Sequence, residues 1–137
     1  MMIVIFDNFQ IYFEYKHILV LFVNKMEFEK MKRFCLTLDL KDDAKMIAEY
    51  EEYHQNVSLE ILKSIKDSGI ESMQIYRLHT RMFMIMDTID EFSFEKKAQM
   101  DAANEKVQAW ENLMWYYQKA LPMAKEGEKW VLMKQIY

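Results

Sequence analysis

Two strand-like segments joined by only two residues constrain the fold of this chain most strongly. Residues 72–78 and 81–88 both have the composition of β-strands, and only His79 and Thr80 separate them. A two-residue connection forces the second strand to turn back beside the first. The sequence therefore predicts an antiparallel β-hairpin in the middle of the chain.

The second strand of this hairpin is apolar at every central position. Met82-Phe83-Met84-Ile85-Met86 shows none of the alternation expected when one face of a strand lies in water. Both faces of the strand should then be covered. Helices would cover one face, and the sheet of a second subunit would cover the other, which predicts a homodimer with facing sheets.

The remaining segments complete a β-α-β-β-α-β order. Before the hairpin lie an alternating strand at 32–40 and a helical stripe from Asp42 to about Lys66 that ends at Gly69. After it come a helical region at 94–119, with Ser93 and Asn104 as candidate N-caps, and a last strand at 130–137. The predicted fold class is α+β, a ferredoxin-like sandwich with both helical regions on one face of an antiparallel sheet.

The first thirty residues differ from the rest of the chain. Their apolar runs, 1–6 and 18–23, are shorter than the roughly 20 residues that a membrane helix requires, and charged residues interrupt them. No basic segment or small-residue cleavage site marks a signal peptide. We interpret 1–30 as an N-terminal extension, either an accessory arm or a mis-called start before Met26 or Met31. The alternative is an additional strand or helix of the 31–137 domain.

Composition and charge narrow the function classes. The chain carries 18 basic and 22 acidic residues, a net charge of -4, without the basic run that nucleic-acid binding requires. Cys35 is the only cysteine, so a disulfide framework and a cysteine zinc site are excluded and a cytoplasmic location is predicted. Two glycines provide no phosphate-binding loop. We expect no nucleic-acid partner, no membrane span and no metal site.

Tyr50 and His54 are the candidate chemical groups. They lie four residues apart, and the stripe that they share also contains Ile47, Val57, Ile61 and Ile65. A histidine in an apolar stripe is either a hydrogen-bonded core residue or a group that moves protons, because imidazole exchanges a proton near neutral pH. Trp110, on the stripe of the later helix, is likewise either core or an apolar platform for a ligand.

Five segments resemble one known family. They are Met31–Leu40, Glu49–His54, Ile75–Tyr76, Arg81–Met86 and Glu128–Trp130, and they resemble the L-rhamnose mutarotase family, including its subgroup named L-fucose mutarotase. The resemblance covers 31–137. It implies a dimeric α/β-barrel of ferredoxin-like subunits that interconverts the α and β pyranose anomers of a 6-deoxy-hexose without a cofactor.

The resemblance also implies residue roles. His54 looks like the family's proton donor, Tyr50 like its sugar-binding tyrosine, and Trp110 like the first of a Trp-Trp pair that lines the sugar site. Met73 stands where rhamnose enzymes can have a substrate-contacting tyrosine, and Glu111 stands in the place of the second tryptophan.

A further departure lies after the histidine, where Ser58-Leu59 stands in place of the Trp-Pro that family members usually have. Such changes alter sugar recognition by about 1 to 3 kcal/mol for each lost contact. The expectation is a mutarotase of L-rhamnose or L-fucose in which these departures change the sugar preference or weaken the activity, while the acid/base residue remains. The alternative is a non-catalytic sugar-binding relative whose site has decayed at Ser58 and Glu111.

Overall fold

The computed structural model describes residues 30–137, so the predictions for the N-terminal extension lie outside the described residues. In chain order the elements are β1 (Lys32–Leu40), α1 (Ala44–Gln55), α2 (Leu59–Asp67), β2 (Ile70–Leu78), β3 (Arg81–Thr88), α3 (Phe94–Ala102), α4 (Glu105–Tyr117), β4 (Gln118–Lys119) and β5 (Val131–Leu132).

The predicted hairpin is confirmed and forms one side of an antiparallel sheet. β2 and β3 pair up to Leu78 and Arg81, with His79 and Thr80 as the turn. β1 lies on the other side of β3, and the short strands β4 and β5 both pair with the free edge of β1. The sheet order β2-β3-β1-β4 is that of the predicted ferredoxin-like fold.

The turn places its strain on one residue. His79 has φ 53°, a left-handed conformation that only this non-glycine residue adopts within 30–137. Two-residue hairpin loops require positive φ because that twist matches the twist of the flanking strands. The amide of Leu40 in β1 donates to the carbonyl of Thr80 at 2.8 Å, which joins the turn to the neighbouring strand.

The single helix predicted over 42–66 is two helices in the structure. Asn56 leaves the helical conformation with φ -134°, and Ser58 then begins α2 by accepting the amide N–H of Ile61 at 3.4 Å. A serine hydroxyl stabilises a helix start because it satisfies a free backbone donor. The predicted end at Gly69 is confirmed, and its φ of 93° favours glycine.

The C-terminal half also differs in detail. Ser93 and Asn104 are both N-caps, as predicted, but they begin separate helices, α3 and α4. Gln118 turns extended after α4 and pairs with Leu40 as part of β4, a strand that the sequence pattern did not indicate. The predicted strand at 130–137 is wrong in extent, because only Val131–Leu132 pairs with β1.

The helices cover one face of the sheet. Along β1 and β3, alternate residues on this face are buried: Leu36, Leu38, Leu40, Met82, Met84 and Met86. Tyr50 of α1 and Met114 and Tyr117 of α4 pack on the central part of this row. Leu38 has no exposed surface, and it lies opposite Met82 in the sheet register.

The opposite face of the sheet, which we call the uncovered face, is apolar in its centre. Cys35, Phe83 and Ile85 lie there and are half-buried, while Tyr76 and Leu78 on β2 are 55% and 81% exposed. Ion pairs border this apolar centre at each end, joining Arg33 to Asp87 and Arg81 to Asp39 across the β1–β3 register.

Truncation of Leu38 should destabilise the domain strongly. Leu38→Ala removes a completely buried side chain from the central strand, and the expected loss in the free energy of unfolding is about 2 to 5 kcal/mol. Leu59→Ala makes the same chemical change at the 83% exposed start of α2, with an expected loss below about 0.5 kcal/mol. Equal losses in urea-unfolding curves of the two variants would contradict this core assignment.

Candidate active site

The candidate site is built on α1. Asp43 begins this helix by accepting the amide N–H of Met46 at 3.0 Å. Helical geometry then places Tyr50 and His54 one turn apart on the same face. Tyr50 is buried, with 4% exposure, whereas His54 is half-buried, so the pair extends from the core to the surface.

The orientation of the His54 ring is fixed on one side. Its Nδ1 lies 2.8 Å from the backbone carbonyl oxygen of Tyr50, and a carbonyl can only accept, so Nδ1 carries the hydrogen. In the neutral ring the lone pair is therefore on Nε2. Nε2 is thus the atom through which His54 gains or loses a proton.

Aromatic rings from α1 and α4 surround this imidazole. The Tyr50 ring lies against His54 with centroids 4.4 Å apart, and the Trp110 ring forms a T-shaped pair with His54 at a centroid distance of 5.5 Å. The Tyr117 ring also contacts Tyr50, in a T-shaped arrangement with centroids 6.1 Å apart. The structure therefore brings together three of the predicted site residues, Tyr50, His54 and Trp110.

The hydroxyl of Tyr50 has a buried polar partner. Nε2 of Gln118 donates to the phenolic oxygen at 3.2 Å, and Gln118 is itself only 6% exposed. Burial raises the pKa of Tyr50 to about 12, because the charged phenolate would be poorly solvated. At neutral pH this phenol is protonated and can serve as a hydrogen-bond donor.

Tyr117 is also held in its protonated form. Desolvation, together with the nearby Glu49 carboxylate, raises the pKa of Tyr117 to about 12, and its hydroxyl donates to Glu49 at 3.2 Å. The contact with Tyr50 and 5% exposure show that Tyr117 is a core side chain.

The other two predicted site residues, Met73 and Glu111, have neighbours other than His54. Met73 lies on the helix-covered face of β2, half-buried against the core cluster of Leu36, Ile70, Met84, Met86 and Phe92. Glu111 follows Trp110 on α4, where its carboxylate accepts from Gln108 at 3.5 Å and its carbonyl accepts from Lys129 at 3.3 Å. Neither contact involves His54.

Two polar residues near the site were not identified from the sequence. Gln118 falls just after the helical stripe, and only the fold shows that its amide meets Tyr50. Arg77 of β2 forms an ion pair with Glu51 of α1 at 2.6 Å and so ties this helix to the hairpin. Within 30–137, no group of three or more His, Cys, Asp and Glu side chains is arranged to hold a metal ion.

Solved structures with the same fold have different activities. The L-rhamnose mutarotase from Formosa agariphila superposes with a TM-score of 0.58 at 17% identity, over 77% of this chain and 96% of that one. Tetracenomycin F2 cyclase from Streptomyces glaucescens, a type-II polyketide cyclase, gives 0.52 at 13% identity with the same coverage. These similarities confirm the fold class. The activity has to be inferred from the site and not from the fold.

Sequence comparison is more specific. The L-fucose mutarotase of Xanthomonas campestris pv. campestris is 43% identical over 102 residues, which cover 73% of this chain and 82% of that protein. The family model described as L-rhamnose mutarotase matches residues 33–137. The chain therefore belongs to the L-rhamnose mutarotase family, as its sequence segments predicted.

Proposed function

We propose that this protein is a sugar mutarotase that interconverts the α and β pyranose anomers of a 6-deoxy-hexose, L-fucose or L-rhamnose, with His54 as its catalytic acid. The observation that carries the proposal is the hydrogen bond from Nδ1 of His54 to the Tyr50 carbonyl. It fixes the ring and leaves Nε2 as the proton-exchanging atom of a half-buried imidazole among aromatic side chains.

The reaction requires only proton transfers. Ring opening breaks the bond between C1 and the ring oxygen, while the ring oxygen gains a proton from the protonated imidazole of His54 and the anomeric hydroxyl gives a proton to solvent water. The C1–C2 bond of the open aldehyde then rotates. Closure on the other face of the aldehyde reverses both transfers, so the protonated imidazole that acts as the acid in opening returns as the base in closure.

The neighbouring side chains support binding of a sugar. Tyr50 offers a hydroxyl that stays protonated, which suits a donor to a sugar oxygen. Trp110 offers an aromatic ring beside His54, and the methyl group and C–H surface of a 6-deoxy sugar would pack on the face of that ring. Met73 and Glu111 are proposed to tune which sugar is accepted, because their side chains differ from the tyrosine and tryptophan of rhamnose enzymes.

We also propose that the uncovered face forms a homodimer interface. Its half-buried apolar centre, Phe83, Ile85 and Cys35, would otherwise remain in contact with water. The two bordering ion pairs are already formed within the subunit, so burial would not leave these charges without partners.

A cytoplasmic location remains a prediction from the lone cysteine. Among the helices of residues 30–137, none has the length and apolar character of a membrane span.

Removal of the His54 imidazole should abolish catalysis. Anomer exchange of L-fucose and L-rhamnose, measured by saturation-transfer NMR against buffer at the same pH, should lose roughly 100- to 10,000-fold of the protein's rate enhancement in His54→Ala. His79→Ala is the matched control, because this histidine lies exposed in the hairpin turn. An unchanged enhancement in His54→Ala would refute its role, and a wild type that binds sugar without exchange would favour the non-catalytic alternative.

A charge in the centre of the uncovered face should separate the dimer. Light scattering after size exclusion should give about twice the 16.7 kDa chain mass for wild type and the single-chain mass for Ile85→Lys. Leu59→Lys, at an exposed position on the helical side, should remain dimeric. A wild type that is monomeric at micromolar concentration would contradict the proposed interface.

A further inference from the structure

Gln118 is a buried amide in an otherwise apolar and aromatic region. It lies at the junction of α4 and β4, with 6% exposure, beside the cluster that contains Tyr50, Met114 and Tyr117. A buried amide is costly unless its polar atoms find partners. Its side chain meets the phenolic oxygen of Tyr50, so the partner of this amide is a residue of the proposed sugar site.

The direction of this hydrogen bond determines what Tyr50 can do. A phenol carries one hydrogen and two lone pairs. Because Nε2 of Gln118 donates to the phenolic oxygen, at 3.2 Å, this bond uses a lone pair and leaves the phenol's own hydrogen for another acceptor. An acceptor in place of the amide would instead draw that hydrogen away.

The main chain holds Gln118 in place. Its backbone N–H bonds to the carbonyls of Met114 and Trp115 at the end of α4. Its backbone also pairs with Leu40 of β1, which is 1% exposed at the centre of the core. The amide is therefore presented to Tyr50 from two rigid elements, and not from a loop.

We propose that Gln118 is a positioning residue that fixes the Tyr50 hydroxyl as a hydrogen-bond donor to the bound sugar. This inference rests on the proposed mutarotase function. It assigns no proton transfer to Gln118, which acts through Tyr50 alone. Gln118 therefore contributes to sugar binding and not to the rate of the chemical step. The Tyr50 hydroxyl would bond to a sugar oxygen that does not react, and such a bond is made in both the ground state and the transition state.

The first test combines two substitutions. Gln118→Met keeps the approximate volume and removes the donor, so KM for L-fucose or L-rhamnose should rise roughly 3- to 10-fold, with kcat retained. In the Tyr50→Phe background the same substitution should cause no further rise, because the hydroxyl on which it acts is absent. Gln99→Met, at an exposed position on α3, should leave both parameters unchanged.

A second variant separates positioning from simple space-filling. In Gln118→Glu, the protonated carboxyl can donate to Tyr50, whereas the carboxylate can only accept and would take the phenol's hydrogen. KM should therefore rise as pH increases through the pKa of the introduced acid, relative to wild type at each pH. Burial should place this rise above the ordinary glutamate range. This test also serves if the methionine variant does not fold.

The outcomes are distinct. An equal KM increase from Gln118→Met with and without the Tyr50 hydroxyl would overturn the positioning role, as would a Gln118→Glu variant with the pH profile of wild type. If wild type exchanges anomers but both Gln118 variants keep its KM, only this inference fails. If wild type does not accelerate exchange of either sugar above buffer, the proposed function itself fails.

Discussion

The burial of Tyr50 between α1, α4 and the sheet is the constraint on which the site depends. This one side chain belongs to the core cluster that contains Leu38 and Met82, contacts Tyr117 of α4, and bonds to Gln118 at the start of β4. Its backbone carbonyl orients His54, and its ring lies against the imidazole. The same residue thus anchors the helix and defines the geometry of the proposed acid, so stability and chemistry are linked at this position.

The two faces of the sheet have different structural roles. On the covered face, the buried leucines and methionines of β1 and β3 support the helices that carry Tyr50, His54 and Trp110. On the uncovered face, an apolar centre between two ion pairs is suited to a second subunit. The apolar run of β3 contributes apolar side chains to both faces of the sheet. This explains why it lacks the alternation of a strand with one face in water.

Local patterns predicted β1, the hairpin and the N-caps Ser93 and Asn104, because these features depend on residues close in sequence. The break before Ser58 was missed because the apolar spacing from Val57 to Ile61 continues across it, although the backbone does not. The short extent of β5 and the existence of β4 depend on pairing with β1, which lies about 80 to 100 residues earlier. Helical periodicity agreed equally with His54 as a core residue and with His54 as a catalytic group. The family resemblance supplied the proposed catalytic role. The hydrogen bond between Gln118 and Tyr50 could be recognised only in the folded structure, because the two residues are far apart in the sequence.

A crystal structure of the protein with L-fucose or L-rhamnose bound would show whether His54 contacts the reacting atoms of the sugar. We expect the sugar to lie beside Trp110, with its ring oxygen or anomeric oxygen within hydrogen-bond distance of Nε2 of His54. The Nδ1 contact with the Tyr50 carbonyl should be unchanged. A sugar bound away from His54, or an imidazole turned so that Nδ1 faces the sugar, would contradict the role of His54 as the catalytic acid.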